Sequence, residues 1–324
     1  MKKIAIIGAG AFGHSLTLVL HKQHSVPMSI YDINTEWIAH IQEHRKHPMF
    51  HTEHSVLDHV TATTDHVEAL SGADVVILAV PAQFMRGALE KIHGSVEEGA
   101  LVINVAKGIE MTTEETMSQI LGEFFTKHNI ATLSGGMIAA DLVDGVQVGA
   151  TVACSGDKSV VVELFAGTTL DIDFSDDLIG VELSGSLKNV LAIGAGMCEG
   201  LSMNKSGEAY VVVKLAKELT TLAVSLGAKE ETFSTTYCWL GDLLTTAYGN
   251  SRNRWFGEQR GRGKTTEEIL NAAKEEHKTV EGVSTAAVVY QIIGEKSLEL
   301  PMLETLNKII KENKEPNSLR NCTV

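Results

Sequence analysis

No stretch of this 324-residue chain reaches about 18 uninterrupted apolar residues, the length that spans a bilayer. The first apolar run, Ile4-Ala5-Ile6-Ile7, stops at a glycine cluster and is too short for the core of a secretory signal. Cysteine is sparse: Cys154, Cys198, Cys238 and Cys322 lie far apart with no CxxC pair, which excludes a disulfide framework and a zinc ribbon. The first three read as small buried apolar residues. Basic residues are outnumbered 27 to 41, and the formal net charge of −14 argues against broad attraction to nucleic acid or anionic membrane. A small anion site stays compatible with that charge, since a few placed cations and backbone N–H groups suffice. Several of the 13 histidines fall between His40 and His66, but none forms HExxH or a paired His/Cys ligand pattern, so no metal is expected. There is no GxSxG elbow, P-loop or EF-hand loop. These absences leave a globular protein, expected in the cytoplasm, with no stable membrane insertion.

What is present is alternation. Ile4–Ile7, Met28–Tyr31, Asp74–Val80, Leu101–Ala106, Thr132–Gly135 and Gln147–Cys154 read as short strands, and helical stretches separate the first of them. A helix follows from about Gly13 to Gln23, and Thr35–His51 reads as a helix and then an irregular loop. Strands apolar on both sides indicate a largely parallel sheet covered by helices. Ligands on such sheets bind beyond the C-terminal strand ends, where Gly8, Asp32, Pro81 and Lys107 fall. After Leu178 the pattern becomes long and helical, with further helices near Thr265–Glu275 and Val283–Gly294. The expected fold is therefore α/β: an N-terminal Rossmann-like dinucleotide-binding domain over residues 1–178 and an all-helical domain over 179–324. The polar stretch Lys311–Val324, with Pro316, is expected to fray.

Gly8-Ala9-Gly10-Ala11-Phe12-Gly13 matches GxGxxG in the required place, after a strand and opening a helix. Gly8 permits the tight turn, Gly10 lets backbone approach a pyrophosphate at the helix N-terminus, and Gly13 allows close helix packing. Asp32 ends the second strand, where a carboxylate accepts from the adenosine ribose hydroxyls and repels a 2′-phosphate, favouring NAD over NADP. The competing reading of Asp32 is a helix cap. Phe84, after Pro81, either covers the cofactor or belongs to the core.

Lys107 is either a surface lysine or an anion contact at the sheet edge. Lys188-Asn189 precedes the apolar stretch Val190–Ala195, so Lys188 is either solvent-facing or partly buried and able to exchange a proton with a carbonyl oxygen. Asp242 sits inside an apolar run. It either caps a helix or pairs with a cation, Lys188 being the candidate. Arg252-Asn253-Arg254, in a loop containing Gly249 and Ser251, suits phosphate oxygens. Gly261-Arg262-Gly263-Lys264 is a second basic loop.

Taken in order, these segments resemble the NAD(P)-dependent glycerol-3-phosphate dehydrogenase family over nearly the whole chain. The resemblance is carried by Gly8–Gly13, Val80-Pro81-Ala82-Gln83, Ala106-Lys107-Gly108-Ile109, Val181–Val190, Leu240-Gly241-Asp242-Leu243 with Thr246, Ser251–Arg254 and Val280–Val283. It implies Lys188 as the general acid/base with Lys107 and Asp242 beside it. It implies that Lys107, Asn189, Thr246, Arg252 and Asn253 hold a small phosphorylated substrate. It puts Ala11, Phe12, Pro81, Phe84, Lys107, Ala139, Arg252 and Glu281 near the NAD cofactor, with the glycines and Asp32. The implied reaction interconverts dihydroxyacetone phosphate and sn-glycerol 3-phosphate, for glycerophospholipid synthesis, in a homodimer. Two segments depart from the family. Ser134-Gly135-Gly136-Met137 has Met137 where a polar Ser or Asn is usual, and His47-Pro48-Met49-Phe50-His51 replaces a Tyr-Leu-Pro-Gly signature. The alternatives are a dehydrogenase of another phosphorylated hydroxy compound and a dinucleotide-binding homologue without catalysis.

Overall fold

The computed structural model describes residues 1–276, 279–320 and 322. The chain divides into two compact units, residues 1–107 with 115–182, and residues 108–114 with 183–324. The sequence pattern alone keeps 108–114 with the first.

The first unit is built on eight strands: β1 (Ile4–Ile7), β2 (Met28–Tyr31), β3 (Val60–Thr63), β4 (Val75–Leu78), β5 (Leu101–Asn104), β6 (Asn129–Ser134), β7 (Val148–Cys154) and β8 (Leu170–Ser175). Their order in the sheet is β3-β2-β1-β4-β5-β6-β7-β8. Every neighbouring pair is parallel except β6 with β7. Strands β1, β2, β4 and β5 are buried at every position, as parallel strands covered on both faces must be. One core packs Ile4, Ile6, Ile30 and Val75 against helix α1 (Ala11–Gln23), and the other packs Ile7, Val76 and Leu78 on the opposite face. The strand order reverses between β1 and β4, the switch point where such sheets receive ligands.

Two strands were not anticipated. Val60–Thr63 is only four residues long and follows a histidine-rich loop. Leu170–Ser175 lies at the sheet edge and carries Asp171 and Asp173 amongst its apolar residues.

The second unit is largely helical. Helix Leu178–Gly200 starts in the first unit and runs into the second. It is long and apolar enough to cross a membrane by length and composition, but 89% of that window is buried in the protein, as in a core helix. The long helical pattern after Gly185 breaks at residues 201–204, where Asn204 caps helix Lys205–Ser225. Helices Thr266–Glu275 and Glu281–Glu295 lie where helices were expected.

Helix Leu178–Gly200 meets helix Arg252–Gly261 through glycine. A Cβ on Gly196 would collide with the Arg254 carbonyl, and one on Gly257 with the Ile193 carbonyl. Gly200 and Gly261 are equally close to backbone of the opposite helix. Two Gly-x-x-x-Gly pairs thus bring the helix backbones into contact, and Phe256 is fully buried beside them.

The C-terminal stretch does not fray as expected through Arg320. The guanidinium of buried Arg260 donates to the Ile309 and Lys314 carbonyls at 3.2 and 2.9 Å, and Leu319 is fully buried in the turn Pro316–Leu319. Asn321, Thr323 and Val324 lie outside the described residues. Cys198 and Cys238 are buried, but Cys154 is half-buried, because it ends β7 where the chain leaves the core.

Candidate functional site

In the first unit the glycine turn links β1 to α1. Gly8 has φ +109°, and a Cβ on it or on Gly13 would collide with backbone of Ala79 or of Gly8 itself. Gly10 differs: nothing lies within 4 Å of its would-be Cβ, and no side chain caps the N-terminus of α1. The first-turn amides of α1 therefore have no capping acceptor from a side chain, and the space before them is open to an anion. Residues 8–13 fit a dinucleotide pyrophosphate on these grounds.

Asp32 follows β2. Its Oδ2 accepts from the Ala9 N–H at 2.7 Å and its Oδ1 from the Asn34 N–H at 2.9 Å. It is not the helix cap, since Asn34 caps helix α2 (Thr35–His44) by accepting from the Trp37 N–H. Each carboxylate oxygen keeps further acceptor capacity, as a ribose contact requires. Pro81 is the N-cap residue of helix Ala82–Ile92, and Phe84, 69% exposed, belongs to neither of the two sheet cores. Lys107 lies past the end of β5, half-buried, with Nζ donating to the Gly135 carbonyl at 2.8 Å. Phe12 is packed against the sheet core, and Ala139 opens helix Ala139–Val143. Met137 is turned into the apolar core, so that departure removes a polar side chain from the segment.

One buried acid, Glu182, carries no sequence signal that singles it out. Its carboxylate accepts from Ser118 Oγ at 2.7 Å and Thr132 Oγ1 at 2.9 Å, tying the start of helix Leu178–Gly200 to the end of the sheet. Burial pushes this carboxyl above the usual range, and the Ser118 hydroxyl and amide oppose the shift.

In the second unit the polar residues converge on the same long helix. Lys188, 8% exposed, donates from Nζ to Asp242 Oδ1 at 2.7 Å and to Thr246 Oγ1 at 2.6 Å. Asp242 is 2% exposed and opens helix Asp242–Ala247 immediately after a π-helical turn, Tyr237–Gly241. Of the two readings for each, the buried pair is what the structure contains. The next residue, Asn189, accepts from Asn253 Nδ2 at 2.9 Å, and Asn253 Oδ1 accepts from the Gly282 N–H at 2.9 Å. Asn253 thereby joins three helices.

The expected basic loop at 251–254 is instead the start of a helix. Ser251 is its cap, accepting from the Asn253 and Arg254 N–H groups, and Arg252 is its first residue. The Ser-x-x-x pattern was readable as a cap, but the polarity of the residues after it concealed the helix. Arg252 is exposed and donates to Thr279 Oγ1 at 3.2 Å, whereas Arg254 pairs with Glu199. Glu281 is exposed at the start of helix Glu281–Glu295. No cluster of His, Cys, Asp or Glu suited to a metal occurs among the described residues.

Two family profiles cover almost the whole chain: the N-terminal part of NAD-dependent glycerol-3-phosphate dehydrogenase matches residues 3–160, and its C-terminal part residues 177–321. A glycerol-3-phosphate dehydrogenase [NAD(P)+] of Clostridium perfringens is 32% identical over 96% of this chain and 94% of its own length. One of Fusobacterium nucleatum is 30% identical over 97% and 94%. The crystal structure of the Coxiella burnetii glycerol-3-phosphate dehydrogenase shares the fold, with a TM-score of 0.89, 24% identity and coverage of 99% of this chain and 98% of that one.

Proposed function

Since this chain belongs to the NAD-dependent glycerol-3-phosphate dehydrogenase family, we propose that it interconverts dihydroxyacetone phosphate and sn-glycerol 3-phosphate with NAD as cofactor. The observation that carries this reading is the buried lysine, with Nζ held between Asp242 and Thr246. Dinucleotide-dependent dehydrogenase chemistry is the family's, and the choice of substrate and of NAD over NADP is the proposal.

When bound, the nicotinamide supplies hydride to the ketone carbon or accepts it from the alcohol. Lys188 gives a proton from Nζ to the oxygen as the alcohol forms, and takes it back in the reverse direction. Asp242 and Thr246 fix the direction of Nζ, and the Asp242 carboxylate keeps a cation favourable in a buried place. Lys107 adds positive charge for the developing alkoxide. Arg252 binds the substrate phosphate, Thr246, Asn189 and Asn253 complete the polar lining, and holding the phosphate orients the carbonyl. At the other ligand, Gly8, Gly10, Ala11, Phe12 and Gly13 receive the pyrophosphate. Asp32 takes the ribose, and Pro81, Phe84, Ala139, Arg252 and Glu281 border the rest. The product would feed glycerophospholipid synthesis in the cytoplasm, and the active species would be a homodimer.

The test is oxidation of NADH by the purified chain with dihydroxyacetone phosphate, run beside NADPH and beside unphosphorylated dihydroxyacetone. Turnover that requires both the phosphate and NADH is expected. Tight NADH binding without turnover would reject the substrate and direct the search to other phosphorylated ketones, the reading that Met137 favours.

A further inference from the structure

The buried acid Glu182 heads a hydrogen-bond chain whose other end is the residue before Lys107. Its Oε2 accepts from the N–H of Ser118, in helix Met117–Phe124, at 3.1 Å and from Ser118 Oγ at 2.7 Å. Its Oε1 accepts from Thr132 Oγ1 at 2.9 Å, and Asn104 Nδ2 lies 3.4 Å from the same oxygen. Thr132 Oγ1, with its one hydrogen directed at Glu182, accepts from Asn104 Nδ2 at 3.0 Å. Asn104 then clasps a single residue: Nδ2 donates to the Ala106 carbonyl at 3.1 Å, and Oδ1 accepts from the Ala106 N–H at 2.9 Å. Asn104, Thr132 and Glu182 are all buried. Lys107 follows Ala106, and its Nζ donates at 2.8 Å to the carbonyl of Gly135, three residues after Thr132. All these residues lie in the first unit.

With donors on both oxygens, Glu182 acts as an acceptor throughout. That fixes the direction of every later bond. The Thr132 hydroxyl must donate to Glu182, so the Asn104 amide must turn its nitrogen to Thr132 and its oxygen to the Ala106 N–H. We propose that Glu182, Thr132 and Asn104 are positioning residues for Lys107: the chain running from the buried carboxylate holds the Ala106 peptide, and so sets Lys107 past the end of β5 with Nζ on the Gly135 carbonyl. Its consequence for catalysis rests on the role given to Lys107 above.

Three substitutions in the full-length chain separate bonding from volume. Glu182→Gln keeps the size but puts an amide N–H amongst donors, which turns the chain around. Thr132→Val keeps the shape and removes the hydroxyl, and Thr132→Ser removes a methyl group and keeps the hydroxyl. The first readout needs no turnover: the rate at which an amine-acetylating reagent labels Lys107, measured by mass spectrometry with Lys205, 92% exposed, as internal reference. Glu182→Gln and Thr132→Val are expected to speed labelling of Lys107 about tenfold, the scale of one lost hydrogen bond, and Thr132→Ser to leave it unchanged. An unchanged rate in all three, or a faster rate in Thr132→Ser with none in Thr132→Val, would overturn the proposal. Should Glu182→Gln fail to fold, the Val and Ser variants decide alone.

The second readout is kcat with dihydroxyacetone phosphate at saturating NADH. Thr132→Val should lower kcat about tenfold with Kd for NADH unchanged, and should lower it no further in a Lys107→Ala background. The same tenfold loss in both backgrounds would show an effect that bypasses Lys107 and overturn the proposal. A wild-type chain without turnover would reject the substrate proposed above, and the labelling rates would still decide whether the chain from Glu182 positions Lys107.

Discussion

Removing one member of the Lys188–Asp242 pair and removing both are different perturbations. Both side chains are buried, at 10% and 2% exposure, and 2.7 Å apart. Asp242→Ala leaves a buried ammonium without its carboxylate, which costs about 3–5 kcal/mol of stability. Replacing both together, Lys188→Met with Asp242→Leu, removes two desolvated charges at once and should restore most of that loss. Activity should fall by roughly 10²–10⁴-fold in every variant lacking Lys188, the usual contribution of a positioned acid or base. Thermal melts and kcat/KM for the two singles and the double check this; a double variant as unstable as Asp242→Ala would mean that the pair is not the stabilising unit. Part of this site was legible because a lone aspartate in an apolar run demands a partner. The Asn253 link to Asn189 and Gly282 was not legible, because its partners are 64 and 29 residues away and no pattern of residue types announces a neutral amide bridge.

Elements were legible where local rules act alone. The glycine turn and the fully apolar strands follow from backbone sterics and burial. Val60–Thr63 and Leu170–Ser175 form through pairing with neighbours already in the sheet, a non-local cause. Helix Arg252–Gly261 was hidden for a similar reason: its buried face is Asn253, Phe256, Gly257 and Arg260, which looks apolar only against the glycines of its partner. Gly257→Ala would drive a methyl group into the Ile193 carbonyl and separate the two helices, costing about 1–3 kcal/mol or more. As Arg252 and Asn253 begin this helix, KM for the phosphorylated substrate should rise along with the loss in melting temperature. A substitution at Gly263, where nothing lies within 4 Å but φ is +98°, should strain only its loop and leave that KM unchanged.

Helix α1 and the loop after α2 set the response to acid. Burial depresses His14 to about 3, and His21 and His47 to about 4, from 6.5. A histidine depressed in the folded state stabilises the fold above the unfolded pKa, and that contribution disappears as pH falls through the folded value. Stability should thus be level above about pH 6.5 and drop between there and pH 4, with each ring adding at most about 1.4 kcal/mol per pH step of one to the slope. Glu182 acts in the opposite sense, since its raised pKa makes protonation in acid favourable to the fold. Melting temperature against pH should show the decline, and His14→Leu should flatten it; equal slopes in both proteins would remove His14 from the account.

Assembly is a property of the whole molecule, and one surface bears on it. Along Trp239–Tyr248 the residues divide by face: Trp239, Asp242, Leu243, Thr246 and Ala247 are buried, while Leu240, Leu244 and Tyr248 are exposed at spacings of four. Large apolar side chains aligned on one face mark an interaction surface more often than scattered ones do. The other side of the same short helix carries Asp242 and Thr246, so covering the exposed face with a second copy would also stiffen the segment that directs Lys188. The chain mass is 34.9 kDa, and light scattering at micromolar concentration should return twice that value. Leu244→Glu places a charge on the apolar face and should shift the mass to that of one chain while far-ultraviolet dichroism stays unchanged. The net charge of −14 adds a salt dependence: two like-charged copies repel, so association should strengthen from low salt to about 0.15 M, where the screening length falls to about 8 Å. A wild-type mass of one chain at every salt concentration would reject the dimer, and a Leu244→Glu variant that remains dimeric would move the interface to another face.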